Sequence, residues 1–200
     1  MKKIILITAS FAFLICCNSN QIKKETTIEN VGKASLNRYQ ESLALELCTM
    51  FGLDQGIRFD SLEYNRREVM PKIDSLNFKR LVNFIKQNGF PNENSIGNRF
   101  TGHECVEAAA ITIMLHNPHR LVNEKEYFDL FYEEVEKGNL PRSYFVDVLD
   151  KYYFMKSGWQ HAMYGSQFGQ PCITTKKQTN RLRKEVGLEP LKDEEFKSCE

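Results

Sequence analysis

The chain has 200 residues, with 27 Lys and Arg against 26 Asp and Glu, for a formal net charge of +1. That balance lacks the clustered basic excess a nucleic-acid surface needs, so nucleic acid is not an expected partner. The length suits one domain with a sizeable core, and aromatic residues at 12% supply bulk to fill it.

Lys2 and Lys3 precede an apolar run from Ile4 to Ile15. The run is too short for a comfortable membrane span and suits the core of a signal peptide. It ends in Leu14-Ile15-Cys16-Cys17, which resembles the lipobox of bacterial lipoproteins, where Leu stands three residues before the modified Cys. Cys16 occupies a slot where Gly, Ala or Ser is usual. The resemblance implies a signal peptide over residues 1–16, cleavage before Cys17 and lipid attachment to Cys17. The alternative is a soluble secreted protein cut at a similar place. A multi-acyl anchor is strong because each buried methylene adds about 0.8 kcal/mol. The expected location is the cell envelope, with a membrane as partner. Losing residues 1–16 removes Lys2 and Lys3 and takes the charge from +1 to −1.

Residues 17–38 are polar and poor in large apolar side chains, which predicts a flexible tether between lipid and domain. From Tyr39 the pattern turns helical, with Leu43, Leu47 and Met50 on one face. A second helix is predicted from Asp74, read as its N-cap, to Asn88, with Phe78, Leu81, Val82 and Ile85 in its stripe and Asn88-Gly-Phe-Pro91 as a stop. Arg99 to His116 reads as the central buried helix, closed by Pro118. Asn123 caps a helix carrying Phe128, Phe131 and Val135 that ends at Gly138. Pro141 opens the next, with Tyr144, Phe145, Val148, Leu149 and Tyr152 as its stripe. Lys177 to Val186 is a polar helix stopped by Gly187. The expected fold is mainly α: one compact domain over residues 39–200, built of six or seven helices, with an irregular Gly-rich loop near 157–175.

Cys48, Cys105, Cys172 and Cys199 show no C-x-x-C spacing. Cys48 and Cys105 stand where small apolar residues would serve, so buried free thiols are the expectation. An envelope location permits disulfides, and four cysteines leave three pairings open.

Several short motifs follow in order: Asp54-Gln-Gly-Ile-Arg58, Asp74-Ser-Leu-Asn77, Asn88-Gly-Phe-Pro91 followed by Gly97, His116 at the end of the apolar helix, Asp150, Tyr164-Gly-Ser-Gln167, and Arg183 to Leu191. Together they resemble a family of bacterial proteins known only as a domain of unknown function, patterned DQ-x-x-R, D-x-x-N, GWP, Q-H, DR, YGTQ and R-x-x-x-GL-x-PL. The resemblance spans about residues 45–195. Phe90 stands where the family has Trp, Leu115 where it has Gln, and Lys151 where it has Arg. The resemblance implies a fold unit and a set of residues. It implies no reaction.

The chemistry of those residues gives two readings. His116, with a pKa near working pH, suits a general base; equally, it can cap helix carbonyls and bond one buried acid. Asp54 and Arg58, four apart, form an ion pair, or with Gln55 offer a bent anion clamp. Tyr164 and Gln167, released by Gly165, suit orienting hydrogen bonds, or else bond buried backbone while Trp159 fills a gap. Ser166 lacks the G-x-S-x-G frame of a nucleophile elbow. His103 and Glu107, four apart, and His116 with His119 match no zinc arrangement well, so neither metal nor cofactor is expected. Asp147 pairs with Lys151 at i+4, on a face shared with Asp150 that is solvated unless it meets the Gly-rich loop. The first reading is a lipid-anchored module binding a small anionic ligand or a protein partner, with Asp54, Gln55, Arg58 and Asp150 at the ligand. The second is a small hydrolase-like enzyme using His116, Tyr164 and Gln167.

Overall fold

The structure, a computed structural model, describes residues 18–59 and 63–199, with side chains from Val31 onward. The signal peptide, residues 1–16, and Cys17 lie outside the described residues. The helices are α1 (Asn18–Gly56), α2 (Arg66–Asn88), α3 (Glu93–Ile96), α4 (Glu104–Glu107), α5 (Ala109–His116), α6 (Pro118–Asn123), α7 (Lys125–Glu136), α8 (Arg142–Lys156) and α9 (Lys176–Glu185). Short 3-10 turns lie at Gly97–Arg99, Ile173–Thr175 and Asp193–Glu195. The fold is mainly α, and no strand occurs among the described residues.

The chain divides at Tyr39 into two units. In the first, the residues read as a tether are helical from Asn18, and Val31 to Tyr39 are exposed. The physical reason is composition: no Pro falls between Asn18 and Tyr39, and Lys, Glu and Ala are good helix formers.

In the second unit, Gln40–Glu200, α5 packs between α2 and α8 because its Ala109, Ala110, Ile113 and Met114 are all buried. Leu47 and Met50 of α1, Phe78 and Leu81 of α2, Phe131 of α7, and Phe145 and Leu149 of α8 complete one core. The second helix begins earlier than the pattern predicts: Asn65 is its N-cap and Asp74 sits inside it. The predicted central helix is broken into the 3-10 turn, α4 and α5, with Ala108 between the two helices. Tyr144, placed in the α8 stripe from sequence, is exposed, and Val146 is buried instead.

Cys48, Cys105, Cys172 and Cys199 are not free thiols. Cys48 bonds Cys105, joining α1 to α4, and Cys172 bonds Cys199. With partners 57 and 27 positions apart in sequence, each crosslink removes roughly 4 kcal/mol of unfolded-chain entropy.

Candidate functional site

The last turn of α1 carries Asp54, which is completely buried. A carboxylate without water needs partners, and Asp54 has them on both oxygens. Its Oδ1 lies 2.9 Å from Nδ1 of His116, the last residue of α5. Its Oδ2 accepts a bond from Gln55 Nε2 at 2.8 Å. Arg58 folds back over the end of α1: Nη1 donates to the Asp54 carbonyl at 2.5 Å and lies 3.4 Å from Asp54 Oδ1. A cation suits that position, where helix carbonyls are left without partners. The other arm, Nη2, donates to Asp74 Oδ1 of α2 at 2.7 Å. Asn77 of α2 donates to the Met50 carbonyl, and Asn117 donates to the carbonyls of Asp74 and Ile113. The DQ-x-x-R, D-x-x-N and His116 motifs, separate in sequence, thus meet as one polar cluster in which Arg58 is committed to two carboxylates.

This cluster floors a cleft of about 630 Å³ lined by Arg58, Asp74, His116, His119, Lys151 and Lys156, with apolar walls from Met70, Leu115, Met155 and the rings of Tyr152 and Trp159. Its size falls in the range of small-molecule sites. The His116 side chain is 23% exposed, reachable from the cleft while its Nδ1 is held. Lys151 is half-buried in the wall, and no hydrogen bond or ion pair holds its amine among the described residues. Burial, and then the charge of Arg58, lower its pKa below the usual lysine value; Asp54 and Asp74 oppose that shift. Sequence spacing pairs Lys151 with Asp147, but Asp147 instead accepts a bond from Gln167 Nε2 at 2.8 Å.

Trp159 stands at the rim, 59% exposed, and does not fill an interior gap. Its backbone φ is 67°, the left-handed region that a bulky residue seldom adopts. The bond from its N–H to the Phe154 carbonyl and the edge-on packing of its ring on Phe154 hold it there. Such strain is characteristic of ligand clamps.

Ligand atoms of Asp54, Asp74 and His116 lie within 4.8 Å of one another, a spacing that suits a metal ion. Arg58 is already bound there, to both carboxylates, and supplies the positive charge a metal would bring. His103 and Glu107 form no such group: Glu107 accepts the Gly102 N–H at 2.6 Å, and His103 is the N-cap residue of α4. Likewise, His161 lies near Cys172 and Cys199, but those sulfurs are bonded to each other.

Tyr164, Gln167 and Asp150 belong to a different place. Asp150 is not on a solvated face; it is completely buried. Its Oδ1 accepts the N–H groups of Met163 and Tyr164 at 2.7 and 2.6 Å, and its Oδ2 that of Ser166 at 2.9 Å. The Gly-rich loop is therefore irregular because it wraps one carboxylate, using N–H groups a helix would consume. Gly165, at φ 75°, makes the turn, and a Cβ there would come within 3.1 Å of Leu191. Arg183 donates to the Tyr164 carbonyl. Tyr164 is buried, and burial, with Tyr153 and Asp150 nearby, pushes its phenol far above the ordinary tyrosine range. Gln167 is exposed. None of the three lines the cleft of His116. Lys151, Asp74 and Trp159 are the cleft residues to which the sequence reading assigns no place at the site: Asp74 reads as an N-cap, Lys151 as the partner of Asp147 and Trp159 as the filler of a gap. The signal for Lys151 is its place next to Asp150, where the resembled family carries another cation, Arg.

Compared with known protein families, curated proteins and solved structures, the chain matches none.

Proposed function

We propose that this protein is a lipid-anchored cell-envelope protein whose cleft binds a small anion with an apolar body. The observation that carries the reading is Lys151: a half-buried amine without a carboxylate partner, facing the same cleft as the Asp54–His116 pair. An ammonium so placed favours an anionic ligand, and Met70, Leu115, Met155 and Trp159 suit an aliphatic or aromatic body. Arg58 acts as a strut that holds Asp54 and Asp74, and does not close on the ligand as a free clamp. Two disulfides accord with an oxidising compartment, and the lipobox-like segment at Cys17 supplies the anchor. No helix among the described residues is long and apolar enough to cross a membrane.

Trp159 is the only Trp in the chain, so its emission reports on this rim alone. Titration with hexanoate, against hexanol as its uncharged counterpart, tests the reading. Hexanoate is expected to change the emission saturably and hexanol not, and Lys151→Met is expected to weaken hexanoate at least tenfold. Equal responses to the two probes, or an unchanged affinity in Lys151→Met, would overturn it.

A further inference from the structure

The Asp54–His116 pair is more than a binding feature. The Asp54 carboxylate is completely buried and fixed from both sides, by Gln55 at one oxygen and by His116 and Arg58 at the other. A carboxylate against Nδ1 makes Nδ1 the protonated nitrogen and leaves the lone pair on Nε2. The imidazole that carries this lone pair lines the cleft, with the Lys151 amine on the same cavity. Both partners of the pair stand at helix ends, Asp54 in the last turn of α1 and His116 closing α5, so the geometry is carried by rigid elements. Among the described residues, no Ser, Thr or Cys lines the cleft. The one hydroxyl among the described lining residues, that of Tyr152, donates to Asn123 Oδ1 at 3.4 Å. With a base and a cation on the same cleft, water is the nucleophile the described residues can activate.

We propose that the cleft hydrolyses small carboxylic esters with an apolar acyl group, with His116 as general base, Lys151 as the cation for the oxyanion and Asp54 as the residue that positions His116. The proposal rests on the anion-binding reading: the bound anion is the carboxylate product, and the substrate is its ester. His116 Nε2 takes one proton of a water molecule as the water oxygen bonds to the carbonyl carbon. The carbonyl electron pair moves onto oxygen, and that oxyanion lies against the Lys151 ammonium. Collapse restores the carbonyl and breaks the carbon–oxygen bond to the alcohol, whose oxygen takes the proton back from His116. Acid and alcohol result, with no oxidant, reductant or further reactant. Lys151 is the one half-buried ammonium in the wall, since Lys156 is exposed with its amine over the Tyr152 ring. A single desolvated cation matches the single charge of a tetrahedral carbonyl intermediate better than the multiple charges of a phosphoryl group.

The test is release of 4-nitrophenolate from 4-nitrophenyl hexanoate by the mature protein, with hexanoate binding measured on the same samples. Wild type is expected to exceed the protein-free rate, His116→Gln to lose at least about 100-fold of the protein-dependent rate, and Lys151→Met at least about tenfold. Gln167→Ala, remote from the cleft, is expected to leave the rate unchanged. Asp54→Asn keeps the shape of the side chain and removes the charge that orients the imidazole, so kcat is expected to fall at least about tenfold with KM little changed, a split that a merely structural role would not produce. Should His116→Gln fail to fold by circular dichroism, the kcat and KM of folded Asp54→Asn still decide. If hexanoate binds and the ester is not cleaved above the blank, catalysis falls and binding stands. If cleavage persists in folded His116→Gln, the base assignment falls. If hexanoate does not bind and the ester is not cleaved, both readings fall.

Discussion

His116 Nδ1 and Asp54 Oδ1 lie 2.9 Å apart across 62 residues of chain. The contact joins the end of α1 to the end of α5 and is buried on the Asp54 side. Removing one member of a buried, charge-assisted pair leaves the other without its partner. Asp54→Ala is therefore expected to destabilise the domain by about 3–5 kcal/mol, read by urea unfolding. Exposed pairs such as Lys72–Glu68 serve as the contrast, and Lys72→Ala is expected to cost no more than about 0.5 kcal/mol.

Trp159 separates stability from function. At φ 67° a glycine would relieve backbone strain, while the freer unfolded chain offsets that gain by about 0.4–1 kcal/mol. Trp159→Gly is expected to change unfolding stability by less than about 1 kcal/mol and to weaken hexanoate measurably by calorimetry. A large loss of stability with unchanged affinity would make Trp159 a packing residue.

Glu134 sets an acid limit. Burial pushes its carboxyl up, but bonds from Lys137, the Phe90 N–H and Asn139 outweigh burial and hold it below the usual carboxylate value. A carboxylate whose folded pKa is depressed contributes stability that is complete above its unfolded pKa and is lost as pH falls through the folded one. Stability is expected to decline as pH drops below about 4.3, the unfolded glutamate value, and Glu134→Gln is expected to flatten that part of the profile in thermal unfolding scans.

Ligand binding carries a pH dependence of its own. Lys151 holds its proton less firmly than an ordinary lysine. An anion needs the protonated amine, so hexanoate affinity is expected to fall as pH rises through the lowered Lys151 pKa, with proton uptake on binding in the upper part of that range. Calorimetry in buffers of different ionisation enthalpy reads that uptake.

The disulfides offer a further check. Replacing both Cys48 and Cys105 by Ser is expected to cost roughly 4 kcal/mol, measured by urea unfolding against wild type under non-reducing conditions.

Much of the helical layout was legible because apolar spacing survives any tertiary context: the stripes on α1, α2 and α7 follow it. Legibility fails where a long-range partner decides. Asp150 and Asp147 share the face of α8 that reads as solvated, yet the Gly-rich loop delivers three N–H groups to Asp150 and Gln167 to Asp147, leaving Lys151 for the cleft. Asp74 reads as an N-cap, whereas Asn65 starts the helix, Pro71 falls within it and Asp74 turns to Arg58. Cys48 and Cys105 stand 57 residues apart, and no spacing rule pairs them. His116, Asp54 and Arg58 were named from short motifs, but their meeting depends on how α1, α2 and α5 pack. Tyr164 and Gln167 come from an equally distinct motif and lie elsewhere, because that motif folds around Asp150.

The most direct measurement is a backbone and side-chain NMR titration of the ¹⁵N-labelled domain with hexanoate. Shifts are expected to concentrate on the Trp159 indole N–H, the His116 imidazole and the amides around Lys151, with Ser166 and Gln167 unmoved. Shifts confined to the Gly-rich loop, or none at concentrations that saturate ordinary carboxylate sites, would contradict the cleft as the ligand site.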